Sequence, residues 1–178
     1  MQIFQPLEPE DFALVKGKQP TKQTLLSFCN NYTGESRGSC ISESWPLFND
    51  QLASSDGILK FCSMETPDQT ERCYHAMFYV MAPRLNFDIP SMESICKGLP
   101  SDISPICFSD IASRMIETDY RNMDKSVEVC VQAQPYDPNN RCFNDLLLYS
   151  KYDFIPGSAE FYKMCDAMPE PWKSRCLE

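Results

Sequence analysis

The sequence predicts an all-α protein, a right-handed α-solenoid of about four to five helix–turn–helix repeats with one disulfide in each repeat. All ten cysteines fall into five pairs, and successive pairs are 33 to 35 residues apart, which is the length of a two-helix repeat. Helical apolar stripes flank the pairs, and prolines interrupt the chain within four of them. The repeat domain is predicted at residues 25–178, after an N-terminal extension at residues 1–24 that lacks the period. The pairs are Cys29/Cys40, Cys62/Cys73, Cys96/Cys107, Cys130/Cys142 and Cys165/Cys176.

The segment before each first cysteine is predicted to be a helix, which we call B. In the third repeat, Met92, Ile95, Cys96 and Leu99 recur at i, i+3, i+4 and i+7 and form one apolar stripe that includes the cysteine. Proline lacks the N–H that a continuing helix needs, so a proline four or five residues after the cysteine ends the helix. These prolines are Pro67, Pro100, Pro135 and Pro169.

The second cysteine of each pair is predicted to open another helix, which we call A. A polar residue followed by proline suits the N-cap and first position of a helix, and Asp68 with Glu71 offers a rival start in the second repeat. Two adjacent apolar columns follow, such as Cys107/Ile111 and Phe108/Ala112, and make a face wide enough to contact two neighbours. The last A helix, after Cys165, is expected to be missing or reduced to a capping turn. The predicted starts are Thr66-Pro67, Ser104-Pro105, Asp137-Pro138 and Glu170-Pro171.

Two disulfide schemes fit the repeat. A sequential scheme joins the two cysteines of each pair, whereas a hairpin scheme joins the second cysteine of one pair to the first of the next. The hairpin scheme leaves Cys29 and Cys176 without partners at opposite ends of a solenoid, so the sequential scheme is favoured. Zinc is disfavoured, because structural zinc sites space their cysteines two to four residues apart.

The composition constrains the compartment and the partner. The net charge of −9 disfavours nucleic acid, and no apolar stretch reaches the length of a transmembrane helix. Ten regularly spaced cysteines indicate an oxidising compartment, secreted or periplasmic, with the mitochondrial intermembrane space less favoured. A signal peptide or membrane anchor is expected to have been removed, and Asn31 begins a sequence that matches the N-glycosylation motif.

The 34-residue two-helix unit resembles tetratricopeptide repeats, and the single staple per repeat resembles the secreted Sel1-like cysteine-rich repeat proteins. The resemblance covers residues ~25–178 and is architectural. It implies protein–protein interaction. The spacing also looks like the twin Cys-x9-Cys hairpins of the mitochondrial intermembrane space, but prolines divide the segment between the cysteines here.

The sequence predicts no catalytic residue, metal site or cofactor. His75 is the only histidine, and a helix residue without a catalytic role is the favoured interpretation. A Cu(I) site at His75, Met77 and Met81 is disfavoured, because His75 and Met77 point to different sides of a helix. A hydrolase that uses two of the 25 acidic residues is a further alternative, although no pair of them stands out.

The predicted function is a non-enzymatic protein-binding module or structural scaffold in an extracytoplasmic assembly, with a protein partner. The alternative is an extracellular helical carrier of a small apolar ligand. The sequence leaves the oligomeric state open. Candidate partner-binding residues are five aromatic side chains of the A helices and the three arginines that precede second cysteines: Tyr74, Phe78, Tyr79, Tyr149, Tyr152, Arg72, Arg141 and Arg175.

Overall fold

The structure, a computed structural model, describes residues 22–178, and the all-α prediction is confirmed over that range, which contains no strand. The predicted N-terminal extension lies outside the described residues except for its last three. Ten α-helices occupy the described range: α1 (Lys22–Cys29), α2 (Gly34–Glu43), α3 (Ser55–Cys62), α4 (Thr70–Arg84), α5 (Ile89–Lys97), α6 (Ser104–Thr118), α7 (Met123–Ala133), α8 (Arg141–Asp153), α9 (Ala159–Ala167) and α10 (Trp172–Leu177). Two short 3-10 helices, Trp45–Phe48 and Tyr120–Asn122, follow α2 and α6.

B and A helices alternate along the chain. The odd-numbered helices α1 to α9 are B helices, and each carries a first cysteine within its last turns; the even-numbered helices α2 to α10 are A helices and carry the second cysteines. The five disulfides follow the sequential scheme, with Cα–Cα distances of 5.3 to 5.6 Å. Each disulfide therefore joins a B helix to the A helix that follows it. The bonds are Cys29–Cys40, Cys62–Cys73, Cys96–Cys107, Cys130–Cys142 and Cys165–Cys176.

The chain divides into two compact units, one up to Met77 and one from Phe78 to Glu178, with the division inside α4. In the second unit each helix packs against the helix next but one in the chain. A helices contact A helices, in the pairs α6–α8 and α8–α10, and B helices contact B helices, in the pairs α5–α7 and α7–α9. Successive repeats of this unit therefore stack like with like.

The wide apolar face of the A helices is buried, as the two columns predict. The residue directly after each of the first four second cysteines is buried, whichever unit it belongs to. These residues are Ile41, Tyr74, Phe108 and Phe143. No helix of the described residues is both long and apolar enough to cross a membrane.

The predicted N-caps of the A helices are wrong. Helix α6 begins at Ser104 itself, with Pro105 in its first turn, and the other three helices begin beyond their prolines. Asp137 shows why the signal misled: its Oδ2 accepts the N–H of Cys142 at 2.9 Å from a position before the helix. A buried carboxylate can thus satisfy a first-turn donor without occupying the N-cap position.

The B helices are capped more regularly. Ser54, Asp88 and Ser158 precede α3, α5 and α9, and the side chain of each accepts a backbone N–H three residues later. These caps fix where the three helices begin, and a disulfide-bonded cysteine lies in the last turn of each of them.

Candidate partner-binding surface

An exposed apolar stripe runs along the C-terminal half of α8. Leu148, Tyr152 and Ile155 are 52%, 79% and 78% exposed. Leu148 and Tyr152 are four residues apart and lie on one side of the helix. Ile155 follows the helix, after Phe154 has left the helical conformation. Contiguous apolar side chains that remain in water mark interaction sites on soluble proteins.

An open depression of about 660 Å³ lies beside the end of α8. The end of α6, the Tyr120–Asn122 turn and Phe154 line it, so it opens next to Tyr152 and Ile155 along the chain. Its charges are largely compensated, since the guanidinium of Arg121 binds both carboxylate oxygens of Asp119 at 2.6 to 3.0 Å. The depression therefore offers shape and mixed polarity rather than a strong charge.

A hydrogen-bonded cluster joins three A helices next to this depression. Arg114 of α6 lies 5.0 Å from the ring centre of Tyr79 and 3.6 Å from Glu117. The Tyr79 hydroxyl donates to the Glu117 carboxylate, and Tyr149 of α8 lies within hydrogen-bonding distance of Tyr79. Burial, reinforced by Glu117, raises the pKa of both phenols above their ordinary value. Both hydroxyls are thus held protonated, and the cluster ties the helices together rather than supplying a base.

The aromatic part of the predicted partner surface needs correction. Tyr74 and Phe78 are core residues, 9% and 0% exposed, because the wide face of an A helix takes both apolar columns into its packing. Tyr79 and Tyr149 are half-buried in the cluster. Tyr152 alone of the five predicted aromatic residues is exposed.

The three predicted arginines all bond to their own chain. Arg72 of α4 lies 3.4 Å from Glu35 of α2. Arg175 of α10 donates to Asn144 of α8 at 3.2 Å, and Arg141 lies 3.6 Å from Asp145 one turn later in its own helix. Two of the three contacts therefore link successive A helices.

Glu65, in the loop between α3 and α4, is a buried carboxyl that the sequence did not single out. Its side chain is 1% exposed; Arg37 lies 3.7 Å away and Ser42 donates to it at 3.4 Å. Burial raises its pKa to about 7, against the opposing pull of Arg37. A carboxyl sealed from solvent is placed for packing, not for access to a substrate.

The remaining candidate residues lie at ordinary positions. Asn31 is exposed after α1, and its amide donates to the Phe28 carbonyl at 2.9 Å. His75 lies 3.8 Å from Glu71 on the same helix, while Met77 and Met81 are buried. In residues 22–178 no three His, Cys, Asp or Glu side chains are grouped as metal ligands.

Sequence reasoning missed Leu148 and Ile155. A signal was present: Leu146, Leu147 and Leu148 are consecutive, and a helix turns by about 100° per residue, so three neighbours cannot all face one core. Leu146 and Leu147 are buried, and Leu148 is the one left outside. Ile155 follows the helix and carried no periodic signal.

Comparison of the chain with protein-family models, with curated proteins and with solved structures finds no match.

Proposed function

We propose that this chain is a non-enzymatic helical-repeat scaffold of an oxidising, extracytoplasmic compartment, secreted or periplasmic, and that it binds a partner protein through the apolar stripe of α8. The stripe of Leu148, Tyr152 and Ile155 is the observation that carries the proposal, because three large apolar side chains close together in the chain, at the end of α8 and just after it, remain in water. The five disulfides support the compartment, since such bonds persist in oxidising surroundings.

Rigidity supports the scaffold role. Each disulfide joins cysteines 11 or 12 positions apart at the joint between a B helix and the next A helix. The like-with-like packing of the second unit supports the α-solenoid architecture that we propose. A stiff support presents a binding face without an ordering cost, as the resemblance to tetratricopeptide and Sel1-like repeats also implies.

The carrier alternative has weaker support. A carrier encloses most of the surface of its ligand in a largely apolar cavity. The depression beside α8 is open, and Glu117, Asp119 and Arg121 contribute to its wall.

Site-directed photo-crosslinking tests the proposal. A benzophenone amino acid replaces Tyr152 in the full chain, produced in its native host and compartment, and the matched control replaces Tyr162, an exposed tyrosine of the B helix α9 (51% exposed). We expect illumination to join position 152, but not position 162, to a specific protein. Absence of a protein adduct at position 152, or the same adducts at both positions, would contradict the proposal.

A further inference from the structure

The loop between α1 and α2 contains the chain's one sequence of the form Asn-x-Ser/Thr. Of the eight asparagines, only Asn31 is followed two positions later by a serine or threonine, Thr33, and the residue between them, Tyr32, is not proline. This is the acceptor sequence for N-linked glycosylation, in which an oligosaccharide is joined to the asparagine side chain. Since such a triplet also arises by chance, its surroundings decide whether it can carry an oligosaccharide.

The surroundings of Asn31 are those that an acceptor requires. Residues 30–36 are all exposed, and this is the longest run of consecutive exposed residues in residues 22–178. An acceptor must lie on a surface loop, because an oligosaccharide is bulky and hydrophilic. The space nearby is open as well: a Cβ atom added to Gly34 would have no atom within 4 Å beyond its chain neighbours and the backbone of its own helix. An oligosaccharide at Asn31 therefore has room outside the packed helices.

The hydroxyl of Thr33 does not serve the helix that it precedes. Thr33 stands at the N-cap of α2 in an extended conformation, where a threonine hydroxyl commonly accepts a backbone N–H of the first turn, but here it makes no such bond. By contrast, Ser54 and Ser158 at the N-caps of α3 and α9 each accept a backbone N–H. Capping therefore does not explain the hydroxyl of Thr33, whereas the acceptor sequence requires a hydroxyl at this position.

The side-chain amide of Asn31 can carry a sugar and keep its contact in the fold. Nδ2 has two hydrogens and donates to the Phe28 carbonyl at 2.9 Å. Transfer from a lipid-pyrophosphate oligosaccharide joins C1 of the first sugar to Nδ2 and breaks the bond from that C1 to a phosphate oxygen, which leaves with the bonding electrons. Nδ2 gives up one hydrogen as a proton, and nothing is oxidised or reduced. The other hydrogen remains for the bond to Phe28.

We infer that Asn31 is an N-glycosylation site, and that the chain passes through a compartment that holds a lipid-pyrophosphate oligosaccharide and its transferase. The inference rests on the extracytoplasmic compartment of the proposed function and narrows it to a secretory route of this kind. The oligosaccharide keeps the loop at residues 30–36 in water, since a bulky hydrophilic group excludes a partner protein from the surface around it.

Mass spectrometry of the full chain, produced in its native host, tests the inference. A peptide N-glycosidase hydrolyses the bond between sugar and asparagine and leaves aspartate in place of asparagine, so the enzyme marks the residue of attachment. We expect the intact chain to lose mass on digestion, and the peptide that contains residue 31 to show the conversion. Asn31→Gln and Thr33→Ala are expected to lose the oligosaccharide, and neither removes a side-chain cap of α2.

Two substitutions in the same loop are the matched controls. Thr33→Ser keeps a hydroxyl, and Asn30→Gln changes a neighbouring exposed amide outside the acceptor sequence, so both are expected to keep the oligosaccharide. An unmodified Asn31 in a chain with its five disulfides formed, or an oligosaccharide that persists in Thr33→Ala, would overturn the inference and leave the proposed function standing. Reduced cysteines together with an unmodified Asn31 would contradict the proposed compartment as well, so the two failures are distinguishable.

Discussion

Two serines at the same register of their A helices contact carboxylates in very different surroundings. Ser42 of the first unit and Ser109 of the second each lie two residues after a second cysteine, and each donates to an acidic residue of the following repeat. The carboxylate of Glu65 is 1% exposed, whereas that of Asp145 is 34% exposed. A serine hydroxyl at the same register therefore donates to a buried carboxyl group in one unit and to a hydrated one in the other.

The cations beside the two carboxylates are also alike. Arg37 lies 3.7 Å from Glu65, and Arg141 lies 3.6 Å from Asp145. Arg37 lowers the pKa of Glu65, but burial raises it more, to about 7. The comparison teaches that a serine and an arginine do not offset the cost of removing a carboxylate from water.

Replacement of Glu65 is expected to have the largest effect on how the free energy of unfolding depends on pH. The folded chain holds a proton on Glu65 up to about pH 7, whereas the unfolded chain releases it near pH 4.5, so stability falls as pH rises between these values and levels off above them. The gap between 4.5 and about 7 corresponds to about 3 kcal/mol in the free energy of unfolding. We expect Glu65→Gln to remove this fall in the free energy of unfolding with rising pH. Urea unfolding from pH 4.5 to 8, with the disulfides intact, measures it.

Asp145→Asn is the matched control for that measurement. It removes the hydrated carboxylate of the second unit. We expect the variant to retain the fall in stability with rising pH that the unsubstituted chain shows. If Glu65→Gln and the unsubstituted chain have parallel pH profiles, the buried carboxyl is not the source of the difference between the two contacts.

Replacement of Arg37 has the next largest expected effect. Arg37 donates to the Met64 carbonyl at 3.2 Å and to Asn30 at 3.0 Å, in addition to its ion pair with Glu65. Without the guanidinium, the pKa of Glu65 rises further, so the ionised form becomes costlier at high pH. We expect Arg37→Met to lower the free energy of unfolding by about 1 to 2 kcal/mol more at pH 8 than at pH 5.

Arg141→Met provides the counterpart in the second unit. The side chains of Arg141 and Asp145 are both about a third exposed, and ion pairs between such side chains contribute little to the free energy of unfolding. We expect a loss below about 1 kcal/mol that is the same at pH 5 and pH 8. A pH-dependent loss in Arg141→Met as large as in Arg37→Met would remove the distinction between the two units.

The repeat was readable from the sequence because its signals are local and recur. The alternation of B and A helices is indicated by a cysteine on each apolar stripe, a proline soon after it and a second cysteine within one or two turns of the next helix start. The count of cysteines favours the pairing that the structure contains. The two adjacent apolar columns also predicted that the A helices bury a wide face.

The candidate surface was less readable, because exposure depends on which part of a helix its neighbours cover. Tyr74 and Tyr152 are both tyrosines on A helices, yet one is core and the other is in water. What separates them is their position: Tyr74 directly follows Cys73, at the register that is buried in the first four A helices, whereas Tyr152 lies near the end of α8. The burial of Glu65 likewise depends on how its loop packs against α2, and the residues around it carry no periodic pattern.

Loss of the serine hydroxyls is the smallest expected effect and the most direct comparison of the two contacts. Ser109→Ala removes a hydrogen bond to a carboxylate that water can reach, so we expect a loss of about 1 kcal/mol or less that does not vary between pH 5 and pH 8. Ser42→Ala removes a contact that lowers the pKa of Glu65, so the pKa rises and the pH range over which stability falls extends to higher pH. Urea unfolding of both variants at half-unit pH intervals gives the pH at the midpoint of this fall in stability. A midpoint that moves in Ser109→Ala, or stays in place in Ser42→Ala, would show that burial of the acceptor does not decide what the shared serine does.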